Sequence, residues 1–261
     1  MTAESRRRFA ETMRSESPDL AVACLLIGAE VLPDLDVAAG LRSLDALAVA
    51  ASSHVGPGHE AHGLREALAD HAGFRGYGDD YGDLRASLLH EVLRRRRGLP
   101  ILLSVVYLEV ASRLGLEAEG VGLPGHFVVS VAGQLVDPFY GGRLVSRPEL
   151  TARIGADLSD DDFDGWPVPA IVSRVLANIR AGARGHGANL RTRLWATELS
   201  MLIPAHSVVL RRERGEILIQ LGDYLAAAFE LEAYAHAVAP VDPESADLAL
   251  RTARMARARL S

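Results

Sequence analysis

Lysine is absent from this chain: all 28 of its Lys-plus-Arg positions are arginine. Schiff-base chemistry from a side-chain amine is thereby excluded, as is the lysine of a phosphate-binding loop. Cysteine is nearly absent too, and a single residue, Cys24, rules out an internal disulfide framework and points to a reducing compartment. Cys24 lies in Leu20-Ala21-Val22-Ala23-Cys24-Leu25-Leu26, an apolar stretch where a small buried thiol is the ordinary state. A reactive thiol needs an electropositive, partly exposed setting. No apolar run is long enough to span a bilayer, and Met1 to Arg14 is charged without an apolar h-region, so a cytoplasmic protein with no membrane partner is expected. Positive charge is not in excess: a net charge of -6 and a pI near 5.9 argue against nucleic acid as a partner.

What the chain does have is core-forming material. With 261 residues, 49% of them apolar and 24% charged, it can build one large or two smaller domains. The most telling stretch is 98–142. From Pro100 to Leu114 apolar residues occur almost all round, interrupted only by Ser104, Glu109, Ser112 and Arg113, as in a helix buried at the centre of a core. Pro100 suits the first helical position, where its missing NH would be unpaired anyway, and Gly115 ends the helix. Glu117 to Leu123 and Phe127 to Val131 read as strands, with Gly133-Gln134 as a tight connection to Leu135. His126 then opens one strand and Asp137 closes its partner, so the two side chains are expected within hydrogen-bonding reach.

Upstream, Ser17-Pro18-Asp19 opens a helix that continues to Val31, and a second runs from Val37 to Ser52. Between Ser53 and Gly73 lie His54, His59, His62 and His71. His59-Glu60-Ala61-His62 matches neither the His-Glu-x-x-His metalloprotease pattern nor a di-metal bundle, so a solvated loop and helix edge is expected, with no metal. Phe74 to Asp83, rich in glycine, aromatics and aspartate, reads as an irregular surface connection, and its carboxylates would repel phosphate. Leu84 to Arg97 is expected as one helix with Leu88, Leu89, Val92 and Leu93 inward, Arg94 to Arg97 complementing its dipole and Gly98 as its C-cap.

After Asp137-Pro138-Phe139, Ser146-Arg147-Pro148-Glu149-Leu150 resembles a capped helix start. The acidic run Asp157 to Asp164 with Gly165-Trp166-Pro167 marks a boundary, giving expected domains 1–165 and 166–261. The second is helical. Segments ending at Pro204 and Pro240 recur about 36 residues apart, close to the tetratricopeptide period, with Leu221-Gly222-Asp223-Tyr224 as the turn of the second copy and Gly182 to Ala188 as that of the first.

Arg-Arg-Gly-Leu-Pro-Ile-Leu-Leu-Ser-Val-Val-Tyr-Leu-Glu-Val, with Gly122-Leu123-Pro124-Gly125-His126-Phe127 and Val136-Asp137-Pro138-Phe139, resembles the bacterial SirB family of transglutaminase-like proteins with a tetratricopeptide-like tail. The resemblance implies an α+β fold: a papain/transglutaminase-like core with a buried central helix against a small antiparallel sheet, flanking helices and a helical tail. It also implies the sites. In active relatives a Cys at the start of the central helix attacks, a His acts as its base and an Asp orients the His. His126 and Asp137 carry over to the last two roles, but counting back from Leu114-Gly115 puts Pro100 where the Cys would be. Ser104 is a poor substitute, since a helix-interior serine bonds to its own backbone.

The expected function is therefore a non-catalytic module that binds a protein or peptide through its helical tail, with no cofactor. The alternative is an enzyme that uses the His126-Asp137 dyad for non-covalent acid/base chemistry on an amide or small acidic metabolite.

Overall fold

The charged N-terminal segment forms helix α1 (Ala3–Arg14), which buries Phe9, Ala10 and Met13 at helical spacing. The computed structural model describes residues 3–184 and 189–260. Two further helices follow, each opened by an aspartate. Asp19 accepts from the Val22 amide at the start of α2 (Leu20–Gly28), and Asp36 accepts from the Ala39 amide at α3 (Val37–Ala51). α2 stops short of the expected Val31 at Gly28, where a Cβ would collide with the His90 ring. The histidine-rich segment is more regular than expected: α4 (Glu60–Arg65) runs straight into a π-helical turn, Glu66–His71.

Residues 84–97 depart from the single expected helix. Leu84–Ser87 form a 3-10 turn, Leu88 is extended, and α5 covers Leu89–Arg95. Two bonds explain the break: the Asp83 carboxylate caps the turn, and the Ala86 carbonyl accepts from the distant Leu99 amide at 2.9 Å instead of from within a helix. The C-cap is Arg96, at φ 58°, and not Gly98. Gly98 is instead needed for close packing, because a Cβ there would lie 2.6 Å from Val92. Leu88, Leu89, Val92 and Leu93 are buried as expected.

α6 (Pro100–Arg113) is the central helix, with every residue from Pro100 to Tyr107 buried and proline in its first turn. It packs against an antiparallel sheet of order β1-β2-β3-β4, comprising β1 (Ala118–Leu123), β2 (His126–Val131), β3 (Gln134–Asp137) and β4 (Arg143–Val145). The β2-β3 turn is Ala132-Gly133, both at positive φ (47° and 77°), one residue earlier than expected. β4 was not foreseen. Alternation divides the strands into two faces. Val121, Leu123, Val128 and Val145 share one face with Leu150 and Phe163, whereas Phe127, Val129, Val131 and Val136 point the other way. α7 (Arg147–Ile154) contributes Leu150 and begins at a capping box in which Ser146 and Glu149 bond reciprocally.

The chain divides into two compact units, Met1–Val175 and Leu176–Ser261. Helix α8 (Val168–Gly182) is followed by α9 (Leu190–Ser200), α10 (Val209–Leu221), α11 (Tyr224–Val238) and α12 (Pro243–Ala258). The expected turn of the second repeat is present: Gly222 takes φ 82° and Asp223 caps α11. The part of the first repeat's turn that spans 185–188 lies outside the described residues. α11 and α12 approach through alanines, with Ala228, Ala235, Ala246, Ala249, Ala253 and Ala256 all buried. Between the tail's helices two carboxylates are nearly buried, and arginines hold both: Glu213 meets Arg180 and Arg184, and Glu230 meets Arg211 at 3.0 Å and Arg214 at 2.8 Å. The architecture is thus the α+β core and helical tail that the sequence implied.

Candidate active site

His126 starts β2 and Asp137 ends β3. Extending the Val129-Val136 register puts Asp137 opposite Val128, so His126 is its diagonal neighbour on the same face. The His126 Nε2 donates to Asp137 Oδ2 at 2.9 Å. A carboxylate can only accept, so the proton of the neutral ring sits on Nε2 and the lone pair on Nδ1, the arrangement of an oriented base. Asp137 is fully buried.

A buried carboxylate needs more than one neutral partner. Arg153, in the last turn of α7, donates to the same Oδ2 at 2.7 Å, and its guanidinium also lies over the Tyr140 ring, 4.8 Å from the centroid. Tyr140 and Phe139 belong to the 3-10 turn Pro138–Tyr140 and flank the imidazole, with centroids 6.0 and 6.3 Å from it. Tyr81 packs on Phe139 at 5.8 Å, and burial beside Tyr140 and Asp137 raises its phenol pKa. The loop carrying Tyr81 is tied to the same place: the Gly76 amide donates to the Phe139 carbonyl at 2.9 Å. The groups that meet the dyad thus come from β2, β3, the turn after β3 and α7.

The sequence reading missed Arg153. The capping box at Ser146 does put it near the end of a helix, but nothing in residue order says which strand that helix covers. The four arginines 94–97, expected to complement a helix dipole, each have a side-chain partner. Arg94 meets Glu91, Arg95 meets Asp83, Arg96 lies over Phe74, and Arg97 bridges Asp79 and Asp80. Pro100 is buried in the first turn of α6, and Ser104 is fully buried. Cys24 is 1% exposed, with neighbouring charge from Asp19 and Glu109, and burial pushes its thiol pKa far up. No helix among the described residues is long and apolar enough to cross a membrane.

Comparison with known proteins agrees with the core and helical tail. The model of the transglutaminase-like superfamily matches residues 38–177, and a tetratricopeptide-repeat model matches residues 188–261. The UPF0162 protein of Xylella fastidiosa is 36% identical over 181 residues, covering 62% of this chain and 62% of that protein. A UPF0162 protein of Pseudomonas aeruginosa is 36% identical over 165 residues, covering 60% of this chain and 61% of its own. Mouse F-box only protein 21 is 26% identical over 152 residues, 54% of this chain but 24% of that protein. The chain therefore spans about three fifths of the bacterial relatives it matches. No solved structure matches it. The family match covers α3 through most of α8, including the central helix, the sheet and the His126-Asp137 pair, and on that ground the chain belongs to the transglutaminase-like superfamily.

Proposed function

We propose that this protein is a SirB-type member of the superfamily that lacks covalent catalysis and serves as a protein- or peptide-binding module, its tail making the contact. One feature carries the reading: counted back fifteen residues from Gly115, the resemblance puts Pro100 where active relatives carry the attacking thiol. Proline offers no nucleophile. The single cysteine cannot substitute, because its thiol is buried and held protonated. In this reading Asp137 is a structural centre held by His126 and Arg153. The tail supplies the binding face. Leu225 and Phe229, one turn apart on α11, are 59% and 64% exposed and are the side chains to change. Tyr234, on the same helix, is buried and is not available for contact.

The test combines chemistry and binding. The wild-type protein should not incorporate a labelled primary amine into a glutamine peptide, and alkylating reagents should leave Cys24 untouched until the chain unfolds. Partners captured from extract should survive His126→Ala and be lost with Leu225→Asp or Phe229→Asp. Amine incorporation that disappears with Cys24→Ala would overturn the reading. Pro100→Cys probes the assigned position: its alkylation should slow when His126→Ala is added, and an inert thiol would reject the placement.

The second reading, a dyad enzyme acting on an amide or small acidic metabolite without a covalent intermediate, rests on the orientation of His126. Its Nδ1 lone pair is set by the Nε2 bond to Asp137. Turnover of a metabolite pool that vanishes with both His126→Ala and Asp137→Asn would favour it.

A further inference from the structure

The histidines of the 53–73 segment are joined by the fold, but not in the pair that residue spacing suggested. His59 and His62, three residues apart, are both exposed on α4 and its approach. His54, seventeen residues from His71, comes to stack on it instead, with ring centroids 4.5 Å apart at 38°. Glu66 closes the group, its Oε1 3.6 Å from His54 Nδ1. One ligand atom from each of the three side chains lies within 4.8 Å of the others.

Three features make this a shaped site. The first is the π-helical turn, in which the extra residue per turn sets His71 five positions after Glu66, and His71 Nδ1 lies 3.1 Å from the Glu66 carbonyl oxygen. A carbonyl can only accept, so Nδ1 carries the proton and the lone pair is left on Nε2. An imidazole pinned in this way by a backbone carbonyl is the usual state of a metal-bound histidine. The second is Gly63, where a Cβ would lie 2.2 Å from the His54 carbonyl oxygen, so only glycine lets the chain at His54 come down onto α4. The third is the His54-Glu66 contact: at 3.6 Å it is within ion-pair range but beyond hydrogen-bond length, so the two ligand atoms face each other without a direct hydrogen bond between them.

We propose that His54, Glu66 and His71 bind a borderline divalent transition metal, of which zinc is the type ion. Two imidazole nitrogens with one carboxylate oxygen suit zinc, cobalt, nickel or copper, and exclude a magnesium- or calcium-type site, which takes oxygen donors. Ligands about 2.1 Å from a tetrahedral zinc stand roughly 3.4 Å from one another. The His54-Glu66 separation of 3.6 Å is already near that value. The other ligand-atom separations are within 4.8 Å, and the half-exposed Glu66 side chain can turn to shorten them while the His71 ring keeps its bond to the carbonyl. Three protein ligands leave the fourth position open to water, so bound zinc there is reachable by small anions.

The experiment is a calorimetric titration of zinc chloride into the full chain, with bound metal counted by elemental analysis after desalting. One zinc per chain is expected. His54→Ala, His71→Ala and Glu66→Gln should each weaken binding by at least about tenfold. His59→Ala and His62→Ala should leave it unchanged. Because the Glu66 and His71 side chains are exposed, those variants keep the fold even where His54→Ala disturbs it. A wild-type chain that binds no zinc would overturn the proposal, as would zinc binding that survives His71→Ala combined with Glu66→Gln or that is lost with His59→Ala.

Discussion

His126 and Arg153 converge on a single atom: both donate to Oδ2 of Asp137, from 2.9 and 2.7 Å. One donor is a ring that can change its charge, and the other is a guanidinium that keeps its own. The carboxylate is fully buried, so without the arginine its Oδ2 would keep the imidazole as its one side-chain donor among the described residues.

Arg153→Ala should therefore destabilise the core more than an ordinary surface substitution. Breaking a buried pair costs about 3–5 kcal/mol, and the partial exposure of Arg153, 30% of its side chain, lowers the expectation to about 2–3 kcal/mol. Urea unfolding monitored by tryptophan fluorescence checks it. Arg153→Lys should recover only part of the loss, since an ammonium cannot serve Asp137 and stack on Tyr140 as the planar guanidinium does.

A second prediction concerns pH. Burial raises the Glu109 pKa above its ordinary 4.5 despite the opposing charge of Arg113 at 2.6 Å. Between 4.5 and that raised value the folded chain binds more protons than the unfolded one, so this group's contribution to stability falls as pH rises. Glu109→Gln should flatten that fall without loss of fold, because Arg113 retains Asp45 at 2.7 Å. Urea midpoints measured from below pH 4.5 to neutrality give the comparison.

Gly76→Ala should disturb the neighbourhood of the dyad from outside it. A Cβ at residue 76 would lie 1.9 Å from the buried Phe139 ring, which must then move away from His126 and Tyr81. The expected cost is about 1–3 kcal/mol by thermal or urea unfolding. Chemical-shift changes should appear at the His126 ring.

Much of this arrangement could be read from residue order, because it rests on local signals. The all-round apolar character of 100–114 marks a buried helix, and Pro100 and Gly115 mark its ends. Asp19 and Ser146 act as caps where their side chains indicate, and Leu221-Gly222-Asp223-Tyr224 turns where expected. The meeting of His126 with Asp137 follows from strand pairing.

What could not be read depends on distant contacts. The single helix expected over 84–97 fails because the Ala86 carbonyl is claimed by Leu99, and the short β4 has too few residues to show alternation. Arg153 and the His54-His71 stack join segments whose proximity only the packed core creates. Gly98 looked like a helix terminator and is a packing requirement, which propensity alone cannot distinguish.

The Ala132-Gly133 connection is short, and its length has a consequence for residues well away from it. An added residue there would offset β3 by one place along β2. Since strand side chains alternate, the Asp137 carboxyl would swing to the far side of the sheet from the imidazole, and Arg153 would lose its counter-ion. The loop is thus a gauge for the dyad: a deletion or insertion at a solvent-facing bend would dismantle the charge centre without touching any of the residues that compose it.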